Sequence, residues 1–239
     1  MTAPSASSAV VLEAEVVDAL VPLGITAFTT GRAAGSFGTQ SDESVRDVMG
    51  RWSMLRARLG GARLATAAQV HGDTVLEHEA GWTGWLRADS ADGHLAPERG
   101  TAMAVTVADC VPVFIAHPSG AAAILHSGWR GTAARITERA IRRLAARGFD
   151  PGDLRLHCGP AICGRCYEVS ADVARQLTGR DPGHAVTVDL RALIVAQARS
   201  LGVTRATVSP LCTRCHNDRF YSHRAGDAGR QLGVMLAER

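Results

Sequence analysis

The chain has 239 residues, 46% of them hydrophobic and 21% charged, with a formal net charge of +3. That length can bury a core without disulfides or metal, the composition excludes disordered and collagen-like architectures, and no apolar run approaches the roughly 18 residues of a membrane span. All 26 basic residues are arginine, which excludes a lysine Schiff base, a P-loop lysine and a lysine general base; scattered arginines, the small net charge and 5% aromatics argue against nucleic acid as a partner.

The N-terminal stretch has no basic residue ahead of its apolar patch, and Glu13 and Glu15 interrupt that patch, so no secretory signal is expected and the protein reads as cytoplasmic. Residues 1–9 are rich in Ala and Ser and are expected to fray. Residues 1–24 read as an extension with a first strand, and residues 25–239 as one domain. A helix is expected over 46–59, stopped by Gly60-Gly61. A strand is expected over 63–70, running into His71-Gly72.

The centre is clearest. Residues 101–107 alternate as a strand that ends at Ala108-Asp109-Cys110, with Pro112 expected to limit the ladder beyond. The runs 113–116 and 121–125, parted by Pro118-Ser119-Gly120, fit buried strands or a hairpin. After His126-Ser127-Gly128-Trp129-Arg130-Gly131-Thr132 comes an amphipathic helix with Ile136, Ala140, Ile141 and Leu144 on its apolar face, closed by Gly148. A strand is expected over 154–158. Helices are expected from the caps Ser170 and Asp189 through Leu177 and Leu201, and late strands over 205–208 and 232–236. Strands and helices alternate without a strict βαβ rhythm, so the expected fold is a single three-layer α/β/α domain with one mixed sheet.

His71, Cys110 and His126 each sit where an apolar strand meets a Gly- or Pro-bearing loop, where sheets present reactive side chains. Two imidazoles and a thiolate make a three-ligand set for zinc with its fourth position open; the alternative for each is a satisfied interior polar group. The segment after His126 offers a strand-to-helix anion site, with Arg130 to clamp phosphate and Ser127, Gly128, Gly131 and Thr132 around it. The competing interpretation is a simple turn with a surface arginine. Trp129 can equally pack in the core or wall a pocket. Cys163-x-x-Cys166 and Cys212-x-x-Cys215 have the local spacing of a structural zinc site, though far apart in the chain. Cys212 to His216 also spells a c-type haem attachment pattern, set aside because no export segment accompanies it. The six cysteines read as ligands, nucleophiles or buried thiols rather than disulfides.

Taken in order, Gln69-Val70-His71-Gly72, Ala108-Asp109-Cys110, the 126–132 segment, Gly159-Pro160-Ala161-Ile162 through Cys166-Tyr167-Glu168-Val169, and Cys212-Thr213 with Phe220-Tyr221-Ser222-His223-Arg224 resemble the YfiH family of laccase-domain, multicopper polyphenol oxidase-like proteins. The likeness runs from about residue 25 to 237. It implies a zinc held by His71, Cys110 and His126. It also implies purine nucleoside chemistry, namely phosphorolysis of adenosine, inosine and S-methyl-5'-thioadenosine with deamination of adenosine. An open zinc site can activate water for attack at the purine C6. Within that likeness Asp109 is expected to orient a ligand or move a proton, Arg130 to hold phosphate, and His223 and Arg224 to touch substrate or phosphate. The chain departs from the family pattern at 31–39, where no asparagine follows Gly35-Ser36-Phe37-Gly38, and at Cys163, where many relatives carry glycine. Two rival chemistries remain: a thiol hydrolase or deamidase using Cys110 with His126, and copper-dependent phenol oxidation. For the latter the chain has no His-x-His pair, although a His/Cys site can take up copper in vitro.

Overall fold

Apolar runs with no polar face need cover on both sides, and here two sheets supply it for one another. A computed structural model describes residues 14–238, so the expected fraying of residues 1–9 lies outside the described residues. In chain order the elements are β1 (Ala14–Val16), β2 (Ile25–Thr30), α1 (Val45–Arg58), β3 (Arg63–Ala67), β4 (Val75–Glu77), β5 (Trp85–Ala88), β6 (Gly93–Ala96), β7 (Thr101–Val107), β8 (Val111–Ala116), β9 (Ala122–Ser127), α2 (Trp129–Ala133), α3 (Ile136–Ala146), β10 (Arg155–Cys158), β11 (Glu168–Val169), α4 (Ala171–Thr178), β12 (Val186–Thr187), α5 (Leu190–Ser200), β13 (Arg205–Val208) and β14 (Gln231–Ala237). One six-stranded sheet runs β1-β2-β14-β7-β3-β5 and a second runs β13-β10-β8-β9-β6-β4. Both are mixed: β3 is parallel to β5 and β7 in the first, and β10 to β13 and β4 to β6 in the second, with antiparallel pairs elsewhere.

Side chains alternate between the two faces of each strand. Met103, Val105 and Met235 of the first sheet meet Phe114, Ala122 and Ile124 of the second in a core between the sheets. Ala104, Val234 and Leu64 face the other way, onto Val48, Trp52 and Leu55 of α1. Val113, Ile115 and Leu125 pack against Ile136, Ile141 and Leu144 of α3 and Ile194 of α5. The α/β class, the mixed pairing and the helices on both outer faces hold. The single sheet expected between them is instead two stacked sheets. An apolar strand needs cover on each face, and periodicity does not distinguish a helix from a second sheet as that cover.

Three further expectations are corrected. Pro112 does not end the ladder, because it pairs with His126 inside β8. Its carbonyl accepts from Gly159 N–H just past the end of β10, so its missing donor faces the side where the neighbouring strand has stopped. The strand from Arg63 stops at Ala67, and the Gln69 side chain extends its pairing by accepting from Thr106 N at 2.7 Å and donating to Thr106 O at 2.8 Å. The helix expected directly after Thr132 begins later, at Ile136, with Ile136, Ala140, Ile141 and Leu144 buried as expected; a separate five-residue α2 precedes it, and Arg135 at φ 62° parts the two. By contrast, β7 has the expected bounds, and Ser170 and Asp189 cap α4 and α5 through their side-chain oxygens. Among the described residues no helix is long and apolar enough to cross a membrane.

Phe114 is fully buried between the sheets, against Gly159 and Gly233, which leave its ring room. Phe114→Ala is expected to cost about 3–5 kcal/mol of stability, read as a lowered urea midpoint with an unchanged slope.

Candidate metal centre

Three chain segments converge where the sheets open. His71 follows β3 in a left-handed conformation (φ 60°), Cys110 follows Asp109 (φ 79°) at the start of β8, and His126 lies near the end of β9. A ligand atom from each of the three lies within 4.8 Å of the others. The His71 and His126 rings meet edge to face with centroids 4.8 Å apart. His126 is buried, Cys110 half-buried and His71 exposed, so the group is sunk on one side and open on the other. It lines a cleft of about 360 Å³ that also touches Gln69, Arg87, Thr106, His223 and Arg230, a volume within the usual small-molecule range.

Asp92, which sequence reasoning missed, organises the set. Its fully buried carboxylate accepts from Val70, His71 and Gly72 N–H at 3.2, 2.9 and 2.7 Å and bonds His126 Nδ1 at 2.8 Å. One carboxylate therefore holds the His71 loop in its uncommon backbone shape and turns the other His126 nitrogen toward Cys110. Burial pushes the Asp92 pKa up, but the bond from His126 and the backbone N–H groups outweigh it and hold the acid below its ordinary value. The available signal was slight: an Asp-Gly pair leading into a strand.

Burial likewise opposes charge on Cys110 and His126, and each offsets that for the other. His126 charge and hydrogen bonding, with a bond from His71, bring the Cys110 thiol down to about 6. Cys110 charge and the Asp92 bond lift His126 to about 9. A soft thiolate with two imidazoles, one oriented from behind by a carboxylate, fits zinc or copper chemistry.

Other expected residues take varied places. Asp109 is buried and accepts from Thr213 Oγ1 at 2.5 Å, Ser222 Oγ at 3.1 Å and Arg224 N at 2.7 Å. Its carboxylate ties the 213 and 222–224 loops to the turn that presents Cys110. Ser127 and Thr132 bond each other in the interior at 2.9 Å. A Cβ at Gly128 would come 2.7 Å from the Cys110 sulfur, and one at Gly131 3.0 Å from the Gly72 carbonyl. These glycines let the α2 turn approach the ligands. Trp129 packs against the core beneath α3, and Arg130 lies over its indole at 4.4 Å, outside the cleft lining. Five residues align too few peptide dipoles to make a strong helix-end anion site. His223 lines the cleft; Arg224 stacks on Tyr167 at 5.1 Å and donates to the Glu168 carbonyl. Cys163, Cys166, Cys212 and Cys215 do come together, away from this cleft. Arg87, also missed, is exposed on the cleft wall and makes no ion pair with the described residues.

Two outcomes follow. Asp92→Asn keeps volume but removes the negative charge and replaces one of the two acceptor oxygens with an NH2 donor, so it can no longer serve both the 70–72 amides and His126, and should weaken metal binding about 10- to 100-fold in a competitive chelator titration. In chelator-treated protein, alkylation of Cys110 should rise with pH about a midpoint near 6 rather than near 9, and added zinc should suppress it.

The family described as multi-copper polyphenol oxidoreductase laccase matches residues 30–238. A purine nucleoside phosphorylase of Streptomyces coelicolor is 39% identical over 182 residues, covering 73% of this chain and 75% of that protein. One of Mycobacterium tuberculosis is 34% identical over 237 residues, covering 91% and 94%. The crystal structure of Bacillus licheniformis hypothetical protein YfiH superposes with a TM-score of 0.84 at 22% identity, covering 96% and 98%, which speaks to the fold. With the match spanning nearly the whole described structure and His71, Cys110 and His126 of its motifs gathered in one cleft, the chain belongs to this laccase-domain YfiH family.

Proposed function

We propose that this protein is a zinc-dependent purine nucleoside phosphorylase that acts on adenosine, inosine and S-methyl-5'-thioadenosine and also deaminates adenosine. The observation that carries the proposal is the convergence of His71, Cys110 and His126 at the cleft, in a chain whose relatives bear the name purine nucleoside phosphorylase. Those three side chains would hold the ion, and zinc there supplies Lewis-acid polarisation to a guest. In phosphorolysis a phosphate oxygen bonds to the ribose C1′ as the bond to the purine nitrogen breaks, and the departing base takes up a proton. The chain must therefore bind two anion-bearing or polar partners side by side and keep them aligned.

Arg87 would supply a cation for phosphate on the cleft wall, and His223 lines the same cleft. Arg130 would have to leave the Trp129 ring to reach phosphate there. Asp109, whose carboxylate is occupied by Thr213, Ser222 and Arg224, acts as a positioning residue for Cys110.

A second reading rests on one observation: Cys110, His126 and Asp92 also form a thiol–imidazole–carboxylate relay. The two readings separate cleanly. Adenosine incubated with pure protein should yield adenine and ribose 1-phosphate only when phosphate is present, and inosine without it. A chelator should abolish both, and zinc restore them. Activity that survives chelation but dies on cysteine alkylation would favour the thiol enzyme. Stoichiometric copper, several ions per chain, with phenol oxidation would favour the oxidase. Absence of nucleoside turnover by zinc-loaded protein would overturn the proposal.

A further inference from the structure

The four remaining ligand-type cysteines of the described residues lie apart from the cleft. Cys163 and Cys166 occupy the loop between β10 and β11, and Cys212 and Cys215 the loop after β13. Their sulfurs all lie within 4.8 Å of one another, and Cys166 Sγ is 3.5 Å from Cys215 Sγ. A zinc–sulfur bond of about 2.3 Å makes the edge of a tetrahedral four-sulfur shell about 3.8 Å. The sulfurs are thus already at the spacing that one shared ion requires. All four are free cysteines.

The backbone is shaped to the same end. The Cys212 sulfur accepts from Cys163 N–H at 3.3 Å and from Cys215 N–H at 3.4 Å. Each Cys-x-x-Cys is closed into a turn, with Cys166 N donating to Cys163 O at 2.9 Å and His216 N to Cys212 O at 2.9 Å. Amide donors aimed at sulfur favour the thiolate form, and several thiolates at this spacing repel unless a cation sits among them.

We propose that Cys163, Cys166, Cys212 and Cys215 bind a structural zinc ion, separate from the centre in the cleft. Four protein ligands close the site, leaving no position for substrate. The ion fastens two irregular loops, which the backbone otherwise joins through Thr213 N to Ala161 O at 3.2 Å and a single bridge between Ala161 and Cys212. The same loops reach the turn before Cys110: Thr213 donates to the Asp109 carboxylate, and Ile162 N to the Asp109 carbonyl at 3.1 Å. The clip therefore stands behind the cleft without entering it, and its existence does not depend on which reaction the cleft performs.

Metal stoichiometry by mass spectrometry on untagged full-length protein tests this. Wild type should carry two zinc ions per chain, and the His71→Ala/Cys110→Ser variant should retain one. That variant, reloaded with cobalt, should show the intense visible bands of a tetrahedral thiolate site. Cys215→Ser, at the most exposed ligand, should bring the wild-type content down toward one and speed reaction of the remaining thiols with a disulfide reagent. If Cys215→Ser does not fold, the wild-type and cleft-variant stoichiometries still decide the matter. A single zinc in wild type that the cleft variant abolishes would overturn the proposal. So would iron at this site, or a native mass showing these cysteines joined as disulfides.

Discussion

The Asp92 carboxylate is the constraint on which the candidate site depends. A fully buried acid would ordinarily gain a proton, and this one is held charged because four donors surround it. Three of those donors are consecutive backbone amides, so the carboxylate moulds a loop; the fourth is an imidazole, so it also sets a tautomer. His71 and His126 are 55 residues apart in the chain, yet both are placed by this one group. The energy that keeps His71 at positive φ comes from those bonds, since a non-glycine residue does not adopt that region by itself.

Asp109 plays the matching part for the thiol. It too stands at positive φ, and its carboxylate is spread over Thr213, Ser222 and Arg224. Two neighbouring loops, 104 to 115 residues further along the chain, thus meet at the residue immediately before Cys110. Strain at the two turns that carry His71 and Cys110, each balanced by a buried carboxylate, gives the candidate site a fixed geometry. Such preorganisation lowers the cost of binding, because little conformational entropy remains to be lost.

Much of the architecture was legible because it is local. Thr101–Val107 alternates, Ser170 and Asp189 offer oxygens one residue before their helices, and both readings hold. The candidate ligands were legible for a related reason, since His71, Cys110 and His126 each mark the end of an apolar run. What periodicity could not supply was the partner of each face. Phe114 looks the same whether a helix or a second sheet covers it, and so the two stacked sheets were read as one. Asp92 was hidden because its role is set by what folds onto it, the 70–72 loop and the His126 ring, not by its neighbours in sequence. Arg130 misled in the opposite direction: its spacing suggested phosphate, but the indole beside it offers a closer face.

The glycines of the 126–132 segment show how one motif can carry a different physical meaning from the one its composition suggests. Gly128 and Gly131 read as an amide cradle for an anion. In the fold they are gaps: the first admits the Cys110 sulfur, the second the Gly72 carbonyl. A side chain at either place would push apart the very segments that bear the ligands. The motif therefore lets α2 close against the centre, and Arg135 in the left-handed region ends that helix. On the proposed reading, phosphate recognition falls to groups the chain brings in from elsewhere: of the two arginines lining the cleft, Arg230 spends its guanidinium on the carbonyls of Asp227, Ala228 and Gly229, whereas Arg87 in β5 has no ionic partner among the described residues.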